Sequence, residues 1–162
     1  MEDMEQIYKQ YMPQVYKYLF SLCRDPNLAE ELTQETFYQA LKFIDGFRGE
    51  CRLYVWLCQI AKNLWIKELN RKKKENKVDL TESHPLSETN ILDETIFREE
   101  KMTLYKALHT LGEPAREVMY LRLSGEFSFK EIGEIMGKDE NWARVTFYRG
   151  KQKIRKETRY EV

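Results

Sequence analysis

Apolar residues recur three and four positions apart along most of the chain, and strand-type signals are absent, so the pattern predicts an all-α protein. From Met4 to Cys23 the apolar stripe is Tyr8, Tyr11, Val15, Leu19, Leu22 and Cys23. Pro13 lies inside it and is expected to kink the helix or mark its true first turn. Asp25-Pro26-Asn27 ends one helix and caps the next. From Leu28 to Phe43 the stripe is Leu28, Leu32, Thr36, Ala40 and Phe43, with Phe37 and Leu41 beside it. A long aromatic-rich helix is expected from Leu53 to Lys73.

Further on, Glu94 to Thr110 reads as helix with Leu104 and Leu108 among its apolar positions. Gly112-Glu113-Pro114 breaks it, and Ala115 to Leu123 is a short helix expected to bury Val118, Met119, Leu121 and Leu123. Between these halves, Lys74 to Asp93 is rich in acids, Ser and Thr and poor in large apolar residues. It reads as a flexible linker. The organisation expected is a helical domain over 1–75, a flexible acidic linker over 76–94 and a second helical domain over 95–162.

The most informative stretch is Phe127 to Lys156, two helices joined by a tight turn. Ser128 and Glu131 have capping-box spacing. Ile132, Ile135 and Met136 form the first helix's buried face, and Gly137 is the expected stop. Asp139 can cap the second helix, which would bury Trp142 or Ala143, then Phe147, Gly150 or the Lys151 stem, and Ile154. Its other face carries Arg144, Tyr148, Arg149, Lys151, Lys153, Arg155, Lys156 and Arg159. A helix-turn-helix places such a second helix in the DNA major groove. There an arginine fork matches the guanine O6/N7 pair, and basic residues further along meet phosphates. The plainer alternative is a helical hairpin with a solvated basic face.

Charge sharpens this. The chain holds 27 Lys+Arg and 27 Asp+Glu, so it has no net charge, yet the charges are sorted. Lys138–Arg159 has eight basic residues against three acidic, and Lys62–Lys77 seven against two. Asn76–Glu100 has two basic against seven acidic. Two cationic patches therefore flank an anionic segment.

Other candidates are less specific. Glu30, Glu31, Gln34, Glu35 and Gln39 share a polar helix face, which pattern alone reads as the wet side of an amphipathic helix. The loop Asp45 to Arg52 has two glycines, Phe47, Arg48 and Arg52. That mix can stack and hold single-stranded bases, or simply fold a loop over a core. The basic run Arg71 to Lys74 reads as a soluble helix end, or with Asn63 and neighbouring aromatics as a nucleic-acid surface.

No Ser/His/Asp set, metal-ligand cluster or phosphate loop is present, so neither a catalytic residue, a metal nor a cofactor is expected. His84 and His109 are the only histidines, and His84 falls in the linker without other ligands. Cys23, Cys51 and Cys58 have no CxxC spacing and read as structural thiols of a reducing compartment. Glu2, Asp3 and Glu5 open the chain, which argues against a signal peptide, and no apolar run could span a bilayer. A cytoplasmic protein without membrane contact of its own is expected.

Three stretches together resemble the extracytoplasmic-function (ECF) group of bacterial sigma factors. Glu31-Leu32-Thr33-Gln34-Glu35-Thr36-Phe37 is similar to the family's D-x-x-Q-E-x-F segment, with Glu31 for the usual Asp. Phe47-Arg48-Gly49-Glu50, followed by Trp56-Leu57, Ile60-Ala61 and Asn63, is similar to its F-R-G…W-L-x-x-I-A-x-N block. Leu123 through Ile154 resembles its C-terminal helix-turn-helix. The resemblance implies sigma domain 2 over 1–75 and sigma domain 4 over 95–162, core RNA polymerase and promoter DNA as partners, and control by an anti-sigma factor. It implies that Glu31, Gln34 and Glu35 dock on polymerase. Phe47, Arg48, Asn63 and Lys67 would act at the −10 element, with Trp56 packed beneath them. Arg144, Tyr148, Arg149 and Lys151 would act at the −35 element. Trp142 and Thr146 depart from the family's pattern: Trp142 is bulky where a small or β-branched residue is usual, and Thr146 replaces a common basic residue.

Overall fold

The structure is a computed structural model that describes residues 3–76 and 106–158. The chain divides into two compact units, Met1–Leu86 and Ser87–Val162. The described residues of each are helical and contain no strand.

The first unit is built from α1 (Met4–Cys23), α2 (Pro26–Phe43), a short 3-10 turn (Ile44–Gly46) and α3 (Leu53–Asn76). Asp3 caps α1 by accepting the Glu5 N–H at 3.4 Å. Asp25 caps α2 by accepting the N–H groups of Asn27 at 3.0 Å and Leu28 at 3.4 Å, with Pro26 in the first turn, where its missing N–H costs nothing. The three helices pack pairwise. Their shared core holds Val15, Tyr18, Leu19, Ala29, Ala40, Val55, Leu57 and Ala61. Thr33 and Thr36 are also buried, and their hydroxyls donate to the carbonyls of Ala29 at 2.6 Å and Leu32 at 2.7 Å. Neither polar group is left unsatisfied.

The apolar stripes need correction at their edges. In α1 the buried line is Ile7, Val15, Tyr18 and Leu19, whereas Tyr8 is exposed and meets Phe37 only edge-on. Pro13 lies on the exposed side inside a helix that begins at Met4, so it does not mark the first turn. In α2, Leu41 and Phe43 are each 55% exposed. Leu41 is seven residues on from Gln34 and so shares its wet face. Phe43 ends the helix with φ −113° and ψ 5°, so helical periodicity no longer aims its side chain.

In the second unit residues 106–109 are helical, followed by α4 (Ala115–Ser124), α5 (Phe129–Met136) and α6 (Glu140–Thr158). The core is Leu108, Leu111, Val118, Met119, Leu121, Phe127, Ile132, Ala143 and Ile154. Leu123 is 36% exposed rather than buried, because it stands about 200° around α4 from the buried Leu121, while Glu117 is buried instead.

The α5–α6 corner explains itself from sequence. Ser128 Oγ accepts the Glu131 N–H at 3.1 Å, and Glu131 Oε1 accepts the Ser128 N–H at 2.9 Å, closing the capping box. Gly137 ends α5 at φ 70°, a left-handed backbone that costs a side chain dearly. Asp139 Oδ1 then accepts the Trp142 N–H at 2.7 Å and starts α6. Gly133 makes the corner tight: a Cβ there would lie 2.6 Å from the Lys138 carbonyl oxygen and 2.8 Å from that of Asp139.

Residues 77–94 of the expected linker, His84 within them, and the expected helix from 94 to 105 lie outside the described residues. Among the described residues no helix is long and apolar enough to cross a membrane, and no cluster of His, Cys, Asp or Glu could hold a metal ion.

Candidate nucleic-acid interface

The buried side of α6 is Ala143, Phe147, Gly150 and Ile154, spaced four, three and four apart. That registration turns Arg144, Val145, Tyr148 and Arg149 outward, with Tyr148 51% exposed. Arg144 and Tyr148 stand one turn apart, and Lys151, half-buried, follows with its Nζ 5.9 Å from the Tyr148 ring centroid. These three share a face, and Arg149 extends it around the helix. Arg144 Nη2 lies 3.4 Å from Glu140 Oε1 one turn earlier. An exposed pair of this kind is weak in water and can be exchanged for another acceptor.

Trp142 does not face outward with them. It is half-buried, and the Lys138 ammonium lies 5.7 Å from its ring centroid, so it packs back across the turn. Thr146 is half-buried too.

In the first unit, Phe47 is half-buried and rests against Trp56, with centroids 5.0 Å apart. Trp56, Asn63 and Lys67 follow one another at seven and four residues along α3, hence on one face over about 16 Å. Asn63, Lys67 and Arg48 are exposed. Phe47 therefore joins the loop to one end of a polar stripe, which can offer an amide, a cation and an aromatic wall to an unpaired base.

The basic run at the end of α3 is less available than its composition suggests. Arg71 donates to Glu68 at 2.6 and 3.1 Å and to Glu75 at 2.8 Å. These bonds push the guanidinium further up and hold the Glu68 carboxyl below its usual range.

Glu31, Gln34 and Glu35 are all exposed on α2, with Glu35 Oε1 accepting from Gln39 Nε2 at 2.9 Å. Tyr38 and Leu41, each 55% exposed, prolong this face. Helical periodicity could have found them, since they lie seven residues after Glu31 and Gln34.

The family model for Sigma-70 region 2 matches residues 7–75, and that for Sigma-70 region 4 matches residues 101–154. The chain is 29% identical over 161 residues to RNA polymerase sigma factor YlaC of Bacillus subtilis, covering 96% of this chain and 91% of that protein. It is likewise 29% identical over 151 residues to ECF RNA polymerase sigma factor SigM of the same organism, covering 93% and 92%.

The chain belongs to the ECF group of the sigma-70 family.

The fold has solved counterparts. Sigma factor RpoE of Bartonella quintana, solved with its anti-sigma factor NepR, superposes with a TM-score of 0.73 at 22% identity, covering 96% of both chains. As an ECF sigma factor, the chain carries the described α2 face, α3 stripe and loop in its region 2 match. The α5–α6 corner falls in its region 4 match.

Proposed function

We propose that this ECF sigma factor binds core RNA polymerase and directs it to specific promoters. The observation that carries the reading is the outward set Arg144, Tyr148 and Arg149 on α6, held by a fully capped helix-turn-helix corner. Such a helix can enter the major groove and read the −35 element, with Lys151 on phosphate. Phe47, Arg48, Asn63 and Lys67 serve the −10 element, capturing a base that melting has released. Glu31, Gln34 and Glu35 dock on polymerase. The region from 1–75 acts as sigma domain 2, 95–162 as sigma domain 4, and 76–94 as their linker.

No step in this role breaks or forms a covalent bond, so it asks for no catalytic residue, metal or cofactor. Binding and positioning alone do the work. The setting is cytoplasmic, where polymerase and promoters meet. Control by an anti-sigma factor fits the same reading, because the two cationic faces are what such a protein would cover; RpoE was solved in that kind of complex.

Size-exclusion chromatography with purified core polymerase tests the docking assignment. The wild-type chain is expected to co-elute with core, and the Gln34→Ala/Glu35→Ala variant to elute alone. Co-elution of that variant at wild-type stoichiometry would remove the assignment.

A further inference from the structure

Phe129 opens α5 and is half-buried, yet it meets side chains of both α4 and α6. Its ring lies 5.5 Å from that of Phe147 and 6.1 Å from that of Tyr148, both on α6. Two guanidinium groups stand over it. Arg122 of α4 has its Cζ 4.2 Å from the ring centroid, and Arg144 of α6 has its Cζ at 5.5 Å. Arg122 is fixed from behind, since its Nη1 donates to the Phe127 carbonyl at 2.9 Å. Arg144 has only the weak, exposed pair with Glu140 beside it.

A long arginine side chain free in water must surrender rotamer freedom when it grips a base. An aromatic face attracts a guanidinium through its quadrupole and stacks against its plane. The ring thus limits where Arg144 can point before DNA arrives, and preorganisation of this kind favours binding. Two cations beside one ring also repel each other. The tethered Arg122 therefore biases the freer Arg144 away from α4.

We propose that Phe129, a residue of the first helix, is the positioning residue for the base-reading Arg144 on the second. The proposal rests on α6 being the −35 reader. Phe129 itself meets no base in this account; it acts through Arg144.

The test is transcription by core polymerase with the full chain on a promoter library randomised across the −35 element. The variants are Phe129→Leu, Phe129→Trp, Arg144→Ala and the Phe129→Leu/Arg144→Ala double. Preference among bases is a ratio within each reaction, so a loss of folded protein does not mimic the effect. Arg144→Ala should flatten preference at one position. Phe129→Leu should weaken preference at that same position by about two- to five-fold. Phe129→Trp should retain it, and Phe129→Leu should add nothing once Arg144 is gone. Were Phe129→Leu to lower output on all sequences alike with preference intact, or to add in full to Arg144→Ala, the positioning role is overturned while α6 remains the reader. Were Arg144→Ala to flatten no position, the assignment of α6 falls, and the proposal with it.

Discussion

The rings of Phe47 and Trp56 meet at 5.0 Å with a 39° tilt, tying the tip of the glycine loop to the first turn of α3. The pair has two jobs in this account: it fixes the loop and it builds one wall of the −10 surface. Trp56→Ala should destabilise the first unit by about 2–4 kcal/mol, given that Trp56 is half-buried. Phe47→Ala should cost less stability but slow promoter opening. Thermal melting and a fluorescent base analogue in the −10 element separate the two effects.

The tight corner between α5 and α6 gives a ranking of substitutions. Gly133→Ala forces a Cβ to within 2.6 Å of backbone that cannot easily move, which should cost about 1–3 kcal/mol or more. Ser128→Ala removes one cap and should cost about 1 kcal/mol. Denaturation of the two variants should therefore place Gly133→Ala below Ser128→Ala. Gly133 is buried against the turn, so the difference reports contact rather than helix propensity.

Much of this was legible in the sequence. The capping box, the Gly137 stop and the Asp139 cap are local rules, and local rules need no knowledge of partners. The ECF resemblance rested on three short stretches whose residues the fold distributes over α2, the loop, α3 and the α5–α6 corner. What escaped was tertiary. Phe43 looks apolar on paper, but it leaves the helix at its last position. Gly133 reads as an ordinary helical glycine until Lys138 and Asp139 come back over it. Phe129 and Arg122 are far apart in pattern terms, and only the packing of α4 and α6 on the start of α5 brings them to Arg144.

The ion pairs within α3 make a contrast between neighbours. Arg71 already spends its donors on Glu68 and Glu75, whereas Lys67 is exposed on the Asn63 stripe. Lys67→Ala should lower the slope of log affinity against log salt for holoenzyme on promoter DNA by roughly one. Arg71→Ala should change it much less. Binding titrations from low to high salt make the comparison.

Alkaline pH should weaken the first unit through Tyr54. Burial, followed by the nearby Cys58 that also hydrogen-bonds it, raises the Tyr54 hydroxyl above the ordinary value of 10.0. The neutral form is the one the fold favours, so its contribution is complete below pH 10.0 and is lost as pH rises through the higher folded value. Tyr54→Phe cannot ionise, and its stability should therefore decline less steeply above pH 10.0 than that of the wild type. Its ring can keep the stack on Tyr11, whose centroid lies 5.6 Å away. Chemical denaturation from pH 8 to about 11 reads this.

Start-site mapping in a purified transcription reaction tests the central claim most directly. Core RNA polymerase alone should initiate without preference on a library of random upstream sequences. Addition of this chain should concentrate initiation at a defined distance downstream of one shared two-part element. Initiation that stays unselective, although the chain co-elutes with core, would contradict the account.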